Sequence, residues 1–164
     1  MIWRVLLIML FYSFFYGCTV REEEHDFKND TIHFFELYAQ RKDSETFLNC
    51  YADSILFEDI MLGEQLKGKE ALNTFFDWNA EGYEMLEDKC LSVSEILIDD
   101  SIACVSGVFL PFSWEGTNYS SMHFLIKLHF DDAGKICKQT DWINYPSNLL
   151  DYQNRKDSNR WIGE

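Results

Sequence analysis

Two carboxylates have the type and placement to carry acid–base chemistry. Asp59 falls at the end of a strand-like run, residues 54–60, and Asp141 falls inside Gln139-Thr140-Asp141-Trp142. Alternation along a strand puts Gln139, Asp141 and Ile143 on one face. A carboxylate withdrawn from water holds its proton more tightly, which suits it to abstract a proton next to a carbonyl. Each also has a plainer role: Asp59 as a strand-end residue bonding its own loop, Asp141 as a buried polar group bonded to a neighbouring helix. His123 and His129 fall on the opposite face of their strand from Phe124 and Ile126. They read as surface or dimer-face residues, not as partners of Asp141. No two His or carboxylate side chains have the spacing of a metal site, and there is no Gly-rich phosphate loop or nucleophile elbow. No metal and no cofactor is expected.

These groups must be held by helices and strands that the pattern locates. Between residues 31 and 51 the apolar positions Ile32, Phe35, Leu37, Tyr38, Phe47, Leu48 and Tyr51 recur mostly every three or four residues, a helical spacing. The polar stretch from Gln40 to Ser44 divides this into two helices, with Asp43 or Ser44 capping the second. A strand over 54–60 follows, then a loop bracketed by Gly63 and Gly68. A third helix covers 69–81 with Leu72, Phe75, Phe76 and Trp78, ended by Gly82. The rest reads as sheet: strands over 90–98, 101–114, 119–130 and 135–145, with turns at Asp99-Asp100 and at 131–134 and a loop at 115–118. Met122, Phe124, Ile126, Leu128 and Phe130 share one face. Three helices interleaved with one early strand, then an antiparallel meander, predict an α+β fold with helices packed on a curved sheet. A turn at Asp99-Asp100 sets Cys104 opposite about Glu95, so Cys90 and Cys104 are not partners. The apolar settings predict that Cys50, Cys90, Cys104 and Cys137 are mainly buried free thiols.

The 164 residues allow one domain of ordinary size, and 47% apolar with 26% charged residues excludes a disordered chain. With 28 acidic against 14 basic residues, a formal −14, the chain has no bulk attraction for nucleic acid or anionic lipid. The charge is uneven. Residues 1–17 hold one charged side chain, Arg4, before an apolar and aromatic run ending at Gly17-Cys18. That is a short basic region and an apolar region too short for a permanent span. A small residue followed by Cys resembles the lipobox of bacterial lipoproteins, although Phe15 stands where Leu is usual. The resemblance implies cleavage before Cys18 and acylation of its thiol. Residues 18–30 then form an acidic tether, 31–150 the domain and 151–164 a polar tail. The implied address is the bacterial cell envelope, lipid-anchored, on the periplasmic or surface face of the outer membrane. Thr19 differs from the Asp that retains many lipoproteins in the inner membrane, and Arg21-Glu22-Glu23-Glu24 resembles the export signal of some surface lipoproteins. Removing residues 1–17 takes away one base and no acid, moving the net charge from −14 to −15.

Within the domain, Tyr51-Ala52-Asp53-Ser54, Phe57-Glu58-Asp59, Gly68-Lys69-Glu70-Ala71-Leu72 and Phe75-Phe76 resemble the front half of the SnoaL-like branch of the nuclear transport factor 2-like superfamily. Phe130-Asp131-Asp132-Ala133-Gly134-Lys135-Ile136 and Asp141-Trp142 resemble its closing hairpin. The resemblance implies a cone: a curved, mostly antiparallel sheet around three N-terminal helices, an apolar pocket at the open end, and dimerisation through the sheet. It sets Asp59 at the place of the ketosteroid isomerase base and Asp141 at that of the polyketide cyclase acid/base. Phe35, Tyr38, Trp78, Phe124, Ile126, Gln139, Ile143 and Tyr145 would line the pocket. The positions resembling the isomerase oxyanion donors are Phe35, twenty-four residues before Asp59, and Ile126. Neither side chain can donate a hydrogen bond, which argues against ketosteroid isomerase chemistry. Tyr38, Trp78 and Tyr145 could donate by another geometry, or simply pack. Members of this fold include enzymes and non-catalytic modules, so fold does not fix function. The first expectation is a lipoprotein whose pocket takes a small apolar molecule. The alternatives are a cyclase-, isomerase- or dehydratase-type enzyme using Asp141 with or without Asp59, and a non-catalytic dimerising partner domain.

Overall fold

The structure, a computed structural model, describes residues 25–150 and Trp161. The apolar run of residues 1–17, Cys18, the acidic run at 21–24 and nearly all of the C-terminal tail lie outside the described residues. Helix α1 spans Phe27–Gln40 and buries Thr31, Phe34, Phe35, Tyr38 and Ala39 along one stripe. Asp26 caps it by accepting a hydrogen bond from the Asn29 N–H at 3.1 Å. The helix thus starts inside the stretch read as tether. Phe27 is the reason: its ring packs on Phe130 at 5.2 Å, so the first turn has an apolar partner. Arg41 ends α1 in the left-handed conformation, with its N–H bonded to Leu37 O. Helix α2, Ser44–Leu48, is capped by Asp43, which accepts from the Thr46 N–H at 2.9 Å.

The main sheet has six strands in the order β2-β1-β9-β8-β5-β4. They are β1 Tyr51–Asp59, β2 Glu64–Lys67, β4 Leu91–Asp99, β5 Ile102–Phe109, β8 Met122–Phe130 and β9 Ile136–Ile143. Every pairing is antiparallel except β1 with β9. Tyr51, read as a helix end, is the first residue of β1. The stretch between Gly63 and Gly68, read as a loop, is β2: it pairs with residues 56–59 of β1 and takes its strand form from that ladder, having no alternating pattern of its own. Helix α3, Lys69–Phe76, stops short of Gly82, so Trp78 lies in the loop that follows and not on the helix.

Two long strands of the sequence reading are each divided. The chain leaves β5 at Leu110-Pro111, where proline has no N–H for the ladder. It then builds a second, three-stranded sheet from β3 Tyr83–Met85, β6 Phe112–Trp114 and β7 Thr117–Tyr119. Ser120-Ser121 separates β7 from β8. The β4–β5 turn is Asp100-Ser101, one residue later than expected, because Asp99 pairs with Ile102 and Asp100 takes the positive φ of 54° that a tight hairpin needs. Cys104 therefore faces Leu97 instead of Glu95. The four described cysteines are free, and only Cys90 of these is fully buried. Burial along β8 alternates as the pattern predicts, with Met122, Phe124, Ile126, Leu128 and Phe130 inward.

The concave face of the sheet holds a mainly aromatic core. Phe34 sits within 5.1–6.1 Å of Phe35, Tyr38, Phe47 and Tyr51, mostly edge to face. Phe35 stacks on Phe124 at 6.1 Å, and Phe109 leans on Phe124 at 5.1 Å. This packing fixes α1 over the sheet and fills much of the cone.

Candidate functional site

The parallel pairing of β1 with β9 sets Asp59 and Asp141 side by side in register. Both are inside the protein, 0% and 1% exposed. Asp59 Oδ1 accepts the N–H of Met61 at 3.0 Å and of Leu62 at 2.8 Å, so it does bond its own loop. Its Oδ2 accepts the Tyr145 hydroxyl at 2.7 Å. Burial pushes the Asp59 pKa up, and these three hydrogen bonds hold it back only in part. Among the described residues Asp141 bonds to no helix. Gln139, two residues before it on the same face of β9, donates Nε2 to both carboxyl oxygens at 2.9 and 3.1 Å. The Gln139 Oε1 accepts the Tyr51 hydroxyl at 2.7 Å, which orients the amide. Burial, then the charge of Asp59, lifts Asp141 well above the ordinary carboxylate range, against the Gln139 hydrogen bond. Tyr145 is pushed up by burial and by Asp59, so its phenol stays a neutral donor. The arrangement is a buried carboxyl pair able to hold and pass a proton, with Tyr145 as the group connecting it outward.

Tyr145 also lines a cavity of about 140 Å³ at the mouth of the cone. Tyr38, Tyr83, Phe109 and Phe112 supply further aromatic walls, Cys90, Met122 and Ile143 aliphatic and sulfur surface, and Arg41 the one full charge among the described residues. Neither Asp59 nor Asp141 is on this wall. Larger hollows are one of about 460 Å³ between α1 and the outer part of β4 and one of about 350 Å³ around Tyr119, Asn144, Tyr145 and Pro146; neither is lined by Asp59 or Asp141.

Of the residues singled out from the sequence, the structure brings Tyr38, Ile143 and Tyr145 together on the small cavity. Phe124 and Ile126 are core residues, and Ile126 is the register partner of Asp141 on β8. Phe35 stacks on Phe124 and borders the α1–β4 hollow. Gln139 holds Asp141. Trp78 packs on Phe47 at 4.6 Å, and its Nε1 is buried without a partner among the described residues. The places of the isomerase oxyanion donors are thus two apolar side chains within the core. His123 is exposed and His129 partly so, on the outer face of β8. Among the described residues no three His, Cys, Asp or Glu side chains converge as metal ligands do. Arg41, Tyr83 and Phe112 were not legible as site residues. Arg41 sits in a polar helix break, and the other two belong to the small sheet that only the break at Pro111 creates. Tyr51 carried a faint signal, a polar tip on an otherwise apolar stripe.

No family model matches the chain, and no curated protein matches it in sequence. Solved structures do match. A protein assigned as a SnoaL-like polyketide cyclase from Mesorhizobium loti is 21% identical, with TM-score 0.58 over 72% of this chain and 99% of that one. One with the same assignment from Shewanella putrefaciens is 14% identical, with TM-score 0.62 over 75% and 93%. One assigned as a ketosteroid isomerase from Kribbella flavida is 16% identical, with TM-score 0.55 over 84% and 88%. At these identities the likeness is one of architecture. The chain has the SnoaL-like, nuclear transport factor 2-like cone fold.

Proposed function

We propose that this protein is a cell-envelope lipoprotein, anchored through lipid on Cys18, whose SnoaL-like domain binds a small, mainly apolar molecule at the mouth of the cone. The observation that carries the reading is the cavity of about 140 Å³ lined by five aromatic residues. An apolar cavity of about 150 Å³ is large enough to take benzene, so this one has room for roughly a single ring. The test is fluorine NMR of 4-fluorotoluene with the full-length protein in lipid nanodiscs, against empty nanodiscs. Broadening that disappears in Met122→Trp, which fills the cavity, is the expected result; no protein-dependent broadening overturns it. The anchor is tested by the mass of the membrane-extracted chain. A chain beginning at an acylated Cys18 supports the address, and a full-length unacylated chain removes it. Among the described residues no helix is long and apolar enough to cross a membrane.

A second reading, acid–base catalysis by Asp141 with Asp59, is favoured by one contact. Tyr145, which lines the cavity, bonds Asp59 through its hydroxyl at 2.7 Å and so links the buried pair to the wall against which a carbonyl compound would bind. In that case Asp141→Asn abolishes turnover of such a compound while leaving its binding intact.

A further inference from the structure

Arg41 gives the cavity a chemical preference. Its guanidinium stands on the cavity wall, 4.4 Å from the centre of the Tyr83 ring and 5.6 Å from that of Trp78. The backbone fixes its root, since Arg41 is the left-handed cap that ends α1. Cation–π contact with the two rings consumes none of the N–H donors on the edge of the guanidinium. That edge is nearly unused: one nitrogen, Nη2, reaches Phe76 O at a long 3.4 Å. Among the described residues the ion pairs are Lys69 with Asp53 and Lys138 with Glu58, so Arg41 has no carboxylate partner. This is notable in a chain with twice as many acids as bases. Tyr38 lines the same cavity. The Tyr145 hydroxyl is already committed to Asp59.

Resting on the small-ligand reading above, we infer that the ligand is a small planar acid, a one-ring carboxylate, with its ring among the aromatic walls and its anionic group on Arg41. A planar fork of donors matches a carboxylate two bonds at a time, which a purely apolar ligand would leave unused. The buried carboxyls do not oppose this directly, because neither lies on the cavity wall.

The experiment compares 4-fluorobenzoate with its neutral analogue 4-fluorotoluene by fluorine NMR titration of the full-length protein in lipid nanodiscs. A charge-assisted contact predicts that the acid binds about ten- to a hundredfold more tightly. Arg41→Gln should bring the affinities for the two probes together. Arg41→Lys, which keeps the charge but not the fork, should retain part of the preference and guards against a folding defect in the first variant. Equal affinity for the two probes in the wild type overturns the inference and leaves the small-ligand reading standing, as does a preference that survives in Arg41→Gln. Binding of neither probe to folded protein overturns both.

Discussion

At the residue scale, Asp141 couples stability to pH. Its pKa is raised by burial and by the Asp59 charge, so the folded state holds the proton over a wider pH range than the unfolded chain. Unfolding then releases protons. The stability this carboxyl contributes is complete below its ordinary value and is lost as the pH rises through the folded one. Asp59 is raised as well and acts in the same direction. These two carboxyls should therefore make the urea midpoint fall as the pH rises above the ordinary carboxylate range, against the opposite contribution of Glu58 and Asp43, whose pKa values are lowered. Asp141→Asn should flatten this slope and raise the midpoint at the alkaline end; an unchanged slope would assign the pH dependence to other groups. Gln139 has a related role. Gln139→Leu leaves the Tyr51 hydroxyl and a buried carboxyl without their partner, at a cost of about 1–3 kcal/mol in denaturant unfolding. Adding Tyr51→Phe should recover part of that loss, because the orphaned hydroxyl is then gone.

At the element scale, the edge of the sheet is shaped by one glycine. Gly107 in β5 lies where β4 carries an irregularity between Val93 and Glu95. A Cβ at Gly107 would overlap Ser92 O and the ring of Phe124. Neither can yield easily: the first is backbone in the neighbouring strand, and the second is stacked on Phe35 of α1. Gly107→Ala should therefore destabilise the fold by about 1–3 kcal/mol, read as a lower melting temperature. If the melting temperature is unchanged, β4 is freer to shift than its pairing suggests. The early start of α1 belongs to the same scale. Phe27, Thr31, Phe34, Phe35 and Tyr38 continue the helical spacing back past residue 31, but the charged residues around Phe27 masked it. Phe130, about a hundred residues away in sequence, gives Phe27 a place in the core, beyond its local stacking on His25.

At the scale of the whole molecule, the outer face of the main sheet carries Leu97, Leu125 and Trp142, which are 59%, 44% and 38% exposed. Leu125 and Trp142 are direct register partners on β8 and β9. Such a group of exposed apolar side chains supports the proposal of a homodimer through the sheet. Sedimentation equilibrium should show a dimer that dissociates in Leu125→Glu or Trp142→Glu, with circular dichroism unchanged. A wild-type monomer at micromolar concentration would end that proposal. Cys18→Ser should move the protein from the membrane to the soluble fraction if the lipid is its anchor.

Several features were legible in the residues alone. The inward stripe of β8, the caps at Asp43 and the helix break, the shared face of Gln139 and Asp141, and the α+β order all follow from period and local chemistry, which act over a few residues. The resemblance of short motifs added the cone. The tertiary structure decided what depends on distant partners. It made a strand of Glu64–Lys67, because an edge strand draws its form from the ladder beside it. It ended α3 before Trp78 and split two long strands to make the second sheet. Above all it set Asp59 against Asp141 through a parallel pairing of strands some eighty residues apart, and placed Arg41 beside Tyr83. A sequence displays periodicity directly. Register between remote strands is fixed by the packing of the whole core, and the electrostatics of a site follow from that register.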